Sequence, residues 1–600
     1  MKKDTLPTLF RAQVEKYGDR VAMREKNFGI WQEISWNTYY NHVKPFCLGL
    51  IGLGLQKGDR VSIIGENGPR WLYADLAVQS AGCISVGIYP TNPAYEVKYH
   101  VNHSESKFFI AGDQEQADKV IQIKDECPSL EKVIVIDMKG LRNYDYPYLV
   151  SFDEVAKLGE EYEKKDPGAY ERLIEEHDSD EVCIIIYTSG TTGPPKGSMI
   201  SHRNVLSMVD ALVETNPIGD SDSIVSYLPL NHVAERMMSV FIPLKTGATI
   251  NFAESIEAVQ ESLREISPTF FLGVPRIWEK IASSVMIRME DATFTQKKMY
   301  KLCMSIATKV AQHRLARTKM SPGLRLANLF AYLWMTRPLL DRLGLLRTHF
   351  AMSGGAPVSL ELLKFFHGLG VPIREAYGQT ESCGVAFIHW GDDIRIGTTG
   401  RPVRGVDCKI MEDGEILLKG DIVFKGYYQD PEATAETLVD GWLVTGDVGA
   451  FDEKGHLTIT DRKKDIIITR GGKNISPSEI ENMLKFSPYI NEAVIIGEGR
   501  KYLTALIQIE YDTVANWAQN NKITFTTFKS LATDPKVKEL IQEEVEKVNE
   551  NLARVETIKK MSLLPKELDQ DDDEVTATRK VKRKVIAKKF SQEIEAMYGS

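Results

Sequence analysis

What the 600-residue chain lacks narrows the field first. Its seven cysteines, at positions 47, 83, 127, 183, 303, 383 and 408, are dispersed, and no Cys-x-x-Cys pair or histidine cluster offers zinc-ligand spacing. Such thiols read as reduced, buried side chains of a cytoplasmic protein. No uncharged apolar run approaches the length of a membrane span, and the start, Met1 to Pro7, lacks the apolar core of a signal peptide, so a soluble or peripheral protein is expected. A formal net charge of -9 argues against a general nucleic-acid binder. There is no internal repeat, and the only biased tract is the acidic stretch from Asp569 to Glu574.

The composition that is present, 43% hydrophobic and 26% charged, is that of a globular protein too long for one core. From about Leu6 to Tyr170, helical patterns alternate with short β-branched runs such as Arg60 to Ile64, Phe108 to Ala111 and Val133 to Asp137, which implies a parallel sheet covered on both faces. The polar segment from Glu160 to Asp180 reads as an exposed connector. A second α/β unit follows, with strands expected at Ile224 to Leu228, Thr249 to Phe252 and Thr269 to Leu272. Glycine-rich turns between Val403 and Phe451 suggest a small β-barrel or antiparallel sheet. The expectation is an α/β fold: a large N-terminal domain (1–460) of two α/β units with a small β-barrel, then a small C-terminal α+β domain (461–600).

Between the strand-like Val182 to Ile186 and the helix start at Ser201 lies Tyr187-Thr188-Ser189-Gly190-Thr191-Thr192-Gly193-Pro194-Pro195-Lys196-Gly197. Small residues let such a loop close around an anion, hydroxyls donate to it, and Lys196 adds a positive charge, so polyphosphate is the natural guest. A Walker A loop fails because Pro195 precedes Lys196 and Gly197 follows it. A dinucleotide fingerprint fails too: Gly52-Leu53-Gly54 has the wrong spacing and leads into a strand.

What remains resembles the signature loop of the AMP-forming adenylate ligases, the superfamily of acyl-CoA synthetases, peptide-synthetase adenylation domains and luciferases. The superfamily's other motifs appear in the expected order across nearly the whole chain. Ser353-Gly354-Gly355-Ala356-Pro357 resembles the loop whose backbone lies against adenine, and Glu375-Ala376-Tyr377-Gly378-Gln379-Thr380-Glu381 the segment whose Tyr stacks on adenine, whose Thr contacts the α-phosphate and whose Glu holds Mg²⁺. The resemblance thus implies nucleotide binding by Thr188, Ser189, Gly190, Thr191, Thr192, Lys196, Gly354, Gly355, Ala356, Glu375, Ala376, Tyr377, Gly378 and Thr380, and metal binding by Glu381 and Thr188. Asp447 in Gly441-Trp442-Leu443-Val444-Thr445-Gly446-Asp447 is assigned to the ribose hydroxyls, which a carboxylate can accept together. Asp461 matches the pivot of a mobile C-terminal domain, Arg462 a group that approaches the nucleotide, and Gly471-Gly472 the wall of a channel for the CoA thiol. Thr576-Ala577-Thr578-Arg579-Lys580-Val581-Lys582-Arg583 departs most, with Ala577 where long-chain members carry proline, and its register places the adenylation lysine at Lys580.

On the substrate side, Leu228-Pro229-Leu230-Asn231-His232-Val233-Ala234-Glu235-Arg236 resembles the mouth of an acyl pocket, with His232 beside the carboxylate. The helical insertion reaching about Arg347 looks like the fatty-acid branch. From Ala292 to Leu340 it carries nine lysines and arginines and no acidic residue. Amphipathic helices that meet anionic lipid are expected there, at the inner face of a membrane, beside the alternative of a helical pair packed on the second α/β unit. The resemblance implies a long-chain fatty-acid:CoA ligase that uses ATP, Mg²⁺ and CoA, with Thr188, Glu381, Arg462 and Lys580 as its catalytic set. An acyl-adenylate ligase serving a carrier protein, and an inactive nucleotide-binding scaffold, remain as alternatives, and a homodimer is left open.

Overall fold

The computed structural model describes residues 4–188, 194–290, 292–569, 572, 574–576 and 580–599. Two seven-stranded sheets form the large part of the molecule. The first runs, edge to edge, Leu149–Ser151, Lys132–Val135, Ser106–Ala111, Arg60–Ile64, Ile84–Ile88, Val182–Thr188 and Lys196–Ser201. All neighbours are parallel except the last pair. The second runs Ile373–Glu375, Phe350–Ser353, Phe270–Leu272, Ser223–Ser226, Thr249–Phe252, Val21–Asn27 and Ile30–Ser35, again parallel up to a closing antiparallel pair. The N-terminal hairpin therefore completes the second sheet, although its residues precede the first in sequence.

Two local expectations are corrected. The phosphate-type motif does not pass directly from strand to helix: its two ends lie in the antiparallel strands Val182–Thr188 and Lys196–Ser201, and the helix His202–Thr215 starts only after the second, capped by Ser201. The segment from 160 to 180 is not a bare connector. Helices Phe152–Lys165 and Ala169–Glu175 occupy most of it, and they bury Phe152, Val155, Tyr170 and Ile174. Phe46 stacks on Phe152 with ring centroids 3.8 Å apart. Glycine makes that closeness available: a Cβ at Gly49 would stand 1.9 Å from the carbonyl oxygen of Val155, and one at Gly159 would stand 1.7 Å from that of Pro45. Polar composition concealed these helices because only one face of each is apolar.

Beyond the two sheets, Asp407–Ile410, Glu415–Lys419, Leu438–Val439, Trp442–Phe451 and Leu457–Arg462 form an antiparallel sheet, the architecture expected of the glycine-rich region. The last part of the chain builds a three-stranded sheet, Ile490–Ile496, Leu503–Ile509 and Ile558–Leu563, with its own core of Leu484, Ile507, Val514, Ile541 and neighbours. The expected α+β texture is present there. Among the described residues no helix is long and apolar enough to cross a membrane, and all seven cysteines are free thiols.

Candidate active site

The two segments expected around adenine are neighbours because their strands are. Phe350–Ser353 and Ile373–Glu375 pair in parallel, Ser353 opposite Glu375, and both chains leave the sheet at the same end. In open α/β sheets that end is where ligands bind. Ala376 N–H donates to the Ser353 carbonyl at 2.8 Å, and a Cβ at Gly354 would come within 3.2 Å of the Ala376 carbonyl oxygen. Gly355 turns the loop with φ +84°. A Cβ at Gly378 would stand 2.0 Å from the Gly384 carbonyl oxygen, so glycine is required where this loop doubles back. Glu375 is held above the loop by the Gly397 N–H at 3.2 Å, and burial pushes its carboxyl up to about 7.

Asp447 lies on the strand Trp442–Phe451, directly opposite Arg462 across the ladder. Its Oδ2 accepts from the Tyr377 hydroxyl at 2.7 Å and from Gln379 Nε2 at 3.3 Å, while Arg462 Nε stands 3.6 Å from Oδ1. Burial raises the Asp447 carboxyl, and Arg462 pulls it back. Thr380, Glu381 and Ser382 form one buried helical turn. Glu381 Oε1 accepts from the Tyr427 hydroxyl at 2.8 Å, and Lys196 Nζ stands 5.1 Å from the centre of that tyrosine ring. Lys196, Tyr427 and Glu381 therefore join the phosphate-type hairpin to the segment expected to hold a cation.

Lys580, from near the end of the chain, reaches this constellation. It stays open to water yet is surrounded closely enough that desolvation, then the nearby Arg462, lower its ammonium below the ordinary lysine value, against Asp447 and Glu381. Its influence extends to His232: burial first, Lys580 second, bring that imidazole down to about 4. His232 is therefore neutral at pH 7. Its Nδ1 accepts from the Ala234 N–H at 3.1 Å, which caps the short helix Val233–Arg236 and leaves the ring proton on Nε2. The motif around it is braced from within. Leu228 N–H donates to Glu235 at 3.1 Å, and Arg236 meets Asp75 at 3.2 Å with both side chains fully buried.

Asp461 closes the antiparallel sheet and ties it to the next segment. It accepts from the Ser476 hydroxyl at 2.8 Å, the Ser478 N–H at 3.1 Å and the Ser478 hydroxyl at 3.0 Å. Gly471 and Gly472 are not brought into the cluster; they sit in an exposed turn between Ile467–Ile468 and Asn474–Ile475, Gly472 at φ +72°. Ser189, Gly190, Thr191 and Thr192 lie outside the described residues, as do Ala577, Thr578 and Arg579. Thr188, at the foot of the hairpin tip, is described and half-buried.

Sequence reasoning passed over Gln379, Tyr427 and Tyr99. The last donates its hydroxyl to the Pro195 carbonyl at 2.7 Å and so holds the hairpin from the side, while His103 Nδ1 and the Tyr187 hydroxyl are 2.8 Å apart at its base. Gln379 stood inside a quoted motif and could have been weighed there. Nothing local marked Tyr427 or Tyr99, whose partners lie 46 and 96 residues away.

The residues expected around Mg²⁺ suit it. A hard cation of that kind binds through one or two carboxylates and takes its other oxygens from substrate phosphates and water. Glu381 supplies the carboxylate, Thr188 a hydroxyl, and the strand Lys196–Ser201 runs beside the Thr380–Ser382 turn. Among the described residues there is no group of three or more His, Cys, Asp or Glu that could hold a metal ion.

Comparison with known proteins agrees with this geometry. Residues 10–428 match the family described as AMP-binding enzyme, and residues 464–600 match the AMP-binding enzyme C-terminal domain. The long-chain-fatty-acid–CoA ligase FadD15 of Mycobacterium bovis is 34% identical over 95% of this chain and 93% of its own. The long-chain-fatty-acid–CoA ligase ACSBG2 of Xenopus laevis is 32% identical over 99% of this chain and 84% of its own. Among solved structures, the adenylation domain of a carboxylate reductase from Mycobacterium chelonae superposes with a TM-score of 0.77 at 20% identity, covering 100% of this chain and 92% of that one. With a site of this composition at the ends of two parallel strands, and a family match across most of its length, the chain belongs to the AMP-binding enzyme family.

Proposed function

We propose that the chain is an AMP-forming ligase that joins long-chain fatty acids to coenzyme A. The observation that carries the chemistry is the convergence of Lys580, Arg462, Asp447 and Glu381 from separate segments of the sequence, close enough to act on one another's charge, with the Tyr377 hydroxyl bonded to Asp447. The long-chain assignment is supported by the names of relatives that are 30–34% identical over nearly the full length.

In the first step a fatty carboxylate oxygen bonds to the α-phosphorus of ATP, and the bond to pyrophosphate breaks. Asp447 accepts the ribose hydroxyls, with the Tyr377 hydroxyl and Gln379 fixing its orientation. Lys580 and Arg462 bring positive charge to where negative charge grows on the α-phosphate, and preorganised charge of this kind is worth several kcal/mol where water is thinned out. Glu381 and Thr188 would hold Mg²⁺, whose charge offsets that of the triphosphate when bound. His232, neutral and donating only from Nε2, borders the carboxylate, which needs no base because it is already ionised. In the second step the CoA thiolate, its proton already lost to solvent, bonds through sulfur to the acyl carbon, and the bond from that carbon to the phosphate oxygen breaks as AMP leaves. Both nucleophiles are already competent, so the protein supplies position and charge. Asp461 serves as the pivot on which residues 461–600 turn between the steps, bringing the Gly471–Gly472 turn to the site. The acid is drawn from a membrane, where the protein makes peripheral contact.

The experiment is AMP release from ATP in the presence of CoA and a graded series of fatty acids, with an acyl carrier protein as a second acceptor. Efficiency should climb with chain length to roughly twelve carbons or more, because each buried methylene adds about 0.8 kcal/mol. Highest kcat/KM with acetate or butyrate would overturn the long-chain assignment, and transfer to the carrier protein but not to CoA would overturn the acceptor.

A further inference from the structure

The insertion after residue 292 divides into an inward and an outward helix. Phe294–Leu315 packs on Leu360–Leu369 and buries Cys303, Ala307, Val310 and Ala311. Of the helical pair that the sequence reading offered as packed on the second α/β unit, only this first helix is turned inward. Pro322–Ala331 and the π-turn Tyr332–Thr336 that prolongs it bury only Ala331, Met335 and Thr336.

On the outer side Leu326, Leu329, Phe330, Leu333 and Trp334 follow the i, i+3, i+4, i+7, i+8 pattern of a single helix face. They are 71%, 53%, 39%, 53% and 69% exposed. The rings of Phe330 and Trp334 lie 6.1 Å apart, so the stripe is continuous. A contiguous apolar stripe with a tryptophan at its tip is not an ordinary scatter of surface hydrophobics; it marks a contact face. Arg325 and Arg337 stand at its two ends, and Lys298, Lys301, Lys309 and Lys319 are exposed on the same insertion. No acidic residue occurs between Ala292 and Leu340, in a chain of net charge -9.

We propose that this face docks on the surface of an anionic lipid bilayer, with Leu326, Leu333 and Trp334 entering the headgroup–acyl boundary and the arginines and lysines meeting lipid phosphates. The charge pattern selects this occupant. A partner must tolerate apolar side chains at the centre and supply negative charge around them, as an anionic membrane surface does. A second copy of the chain, paired about a two-fold axis through the same stripe, would set Arg325 and Arg337 against their own like charges. That this contact delivers substrate rests on the fatty-acid reading above; the docking itself does not.

Flotation of the full chain with vesicles of phosphatidylcholine alone, and of phosphatidylcholine mixed with phosphatidylglycerol, tests it without using turnover. The chain should float with the mixed vesicles only and should be released by salt. Leu333→Glu/Trp334→Glu should abolish flotation, and each of Arg325→Gln and Arg337→Gln should weaken it roughly fivefold. All four positions are exposed, so unchanged thermal melting and unchanged AMP formation from a monomeric soluble acid should accompany the loss. No flotation with either vesicle would overturn the proposal, as would equal, salt-insensitive flotation with both. A dimer in sedimentation that Leu333→Glu/Trp334→Glu splits would overturn it in favour of a second copy. Failure of AMP formation with flotation intact would instead count against the ligase reading alone.

Discussion

Two motif positions in the last 140 residues meet opposite fates. At one, Lys580 brings an ammonium into the company of Asp447, Arg462 and Glu381, while the other, Gly471–Gly472, is left in water. Both were assigned to chemistry, yet one arrangement of the chain assembles only the first. The difference fits the proposed two-step reaction, in which residues 461–600 would turn between the steps and bring each set of groups to the site in succession. Asp461, bound by Ser476 and Ser478, sits where such a turn would pivot.

The largest break in that comparison should come from Lys580→Ala. Acyl-adenylate formation should fall on the order of a hundred- to a thousandfold, the cost of removing one preorganised charge-stabilising group, while thioester formation from supplied acyl-adenylate stays near its original rate. Equal loss in both steps would end the assignment. Asp461→Pro should do the reverse, slowing the CoA step by about a hundredfold because a fixed φ blocks a two-state hinge. Adenylation by the same preparation is the folding control, since Asp461 also pairs with Val448 in the sheet; acyl-CoA made at the normal rate would contradict the pivot.

Asp447→Asn sharpens the comparison on the nucleotide side. It keeps the Tyr377 contact but surrenders the charged acceptor, and the KM for ATP should rise about tenfold or more. Tyr427→Phe removes the donor to Glu381 and should cost roughly threefold, read most clearly as a higher Mg²⁺ requirement. An unchanged Mg²⁺ curve would separate Tyr427 from the cation.

The one effect outside catalysis is a stability effect on the substrate side. Burial pushes the Glu235 carboxyl up to about 7, so the folded chain holds that proton more tightly than the unfolded one. Its contribution is therefore full below the ordinary carboxylate range and is lost as pH rises through 7. Between pH 6 and 8 the change should be about 1 kcal/mol, and Glu235→Gln should flatten it in urea titrations at the two pH values. A slope that persists in the variant would assign it to other groups.

How far the sequence reached follows from the range of each interaction. Tyr377, Asp447 and Lys580 were legible because each sits in a run whose order matches a known pattern, and the strands that carry them were legible from apolar runs. The partners that hold them were not. Tyr427 meets Glu381 only because the hairpin Val182–Thr188/Lys196–Ser201 bridges to it at Ser198, a contact no local pattern announces. The hairpin Val21–Ser35 crosses to a sheet whose other strands begin two hundred residues later, because Val21–Asn27 finds its parallel neighbour in Thr249–Phe252. The helices between 152 and 175 hid behind acidic and basic residues on their outer faces, and their packing rests on Gly49 and Gly159, whose role appears only when two helices touch.

The central claim is that the constellation around Asp447 and Lys580 activates a fatty carboxylate as its adenylate before CoA takes part. Exchange of labelled pyrophosphate into ATP, measured without CoA and with a long-chain acid, tests it most directly. The account predicts exchange that requires both the acid and Mg²⁺ and is lost in Lys580→Ala. Exchange that needs CoA, or release of ADP in place of AMP, would contradict it.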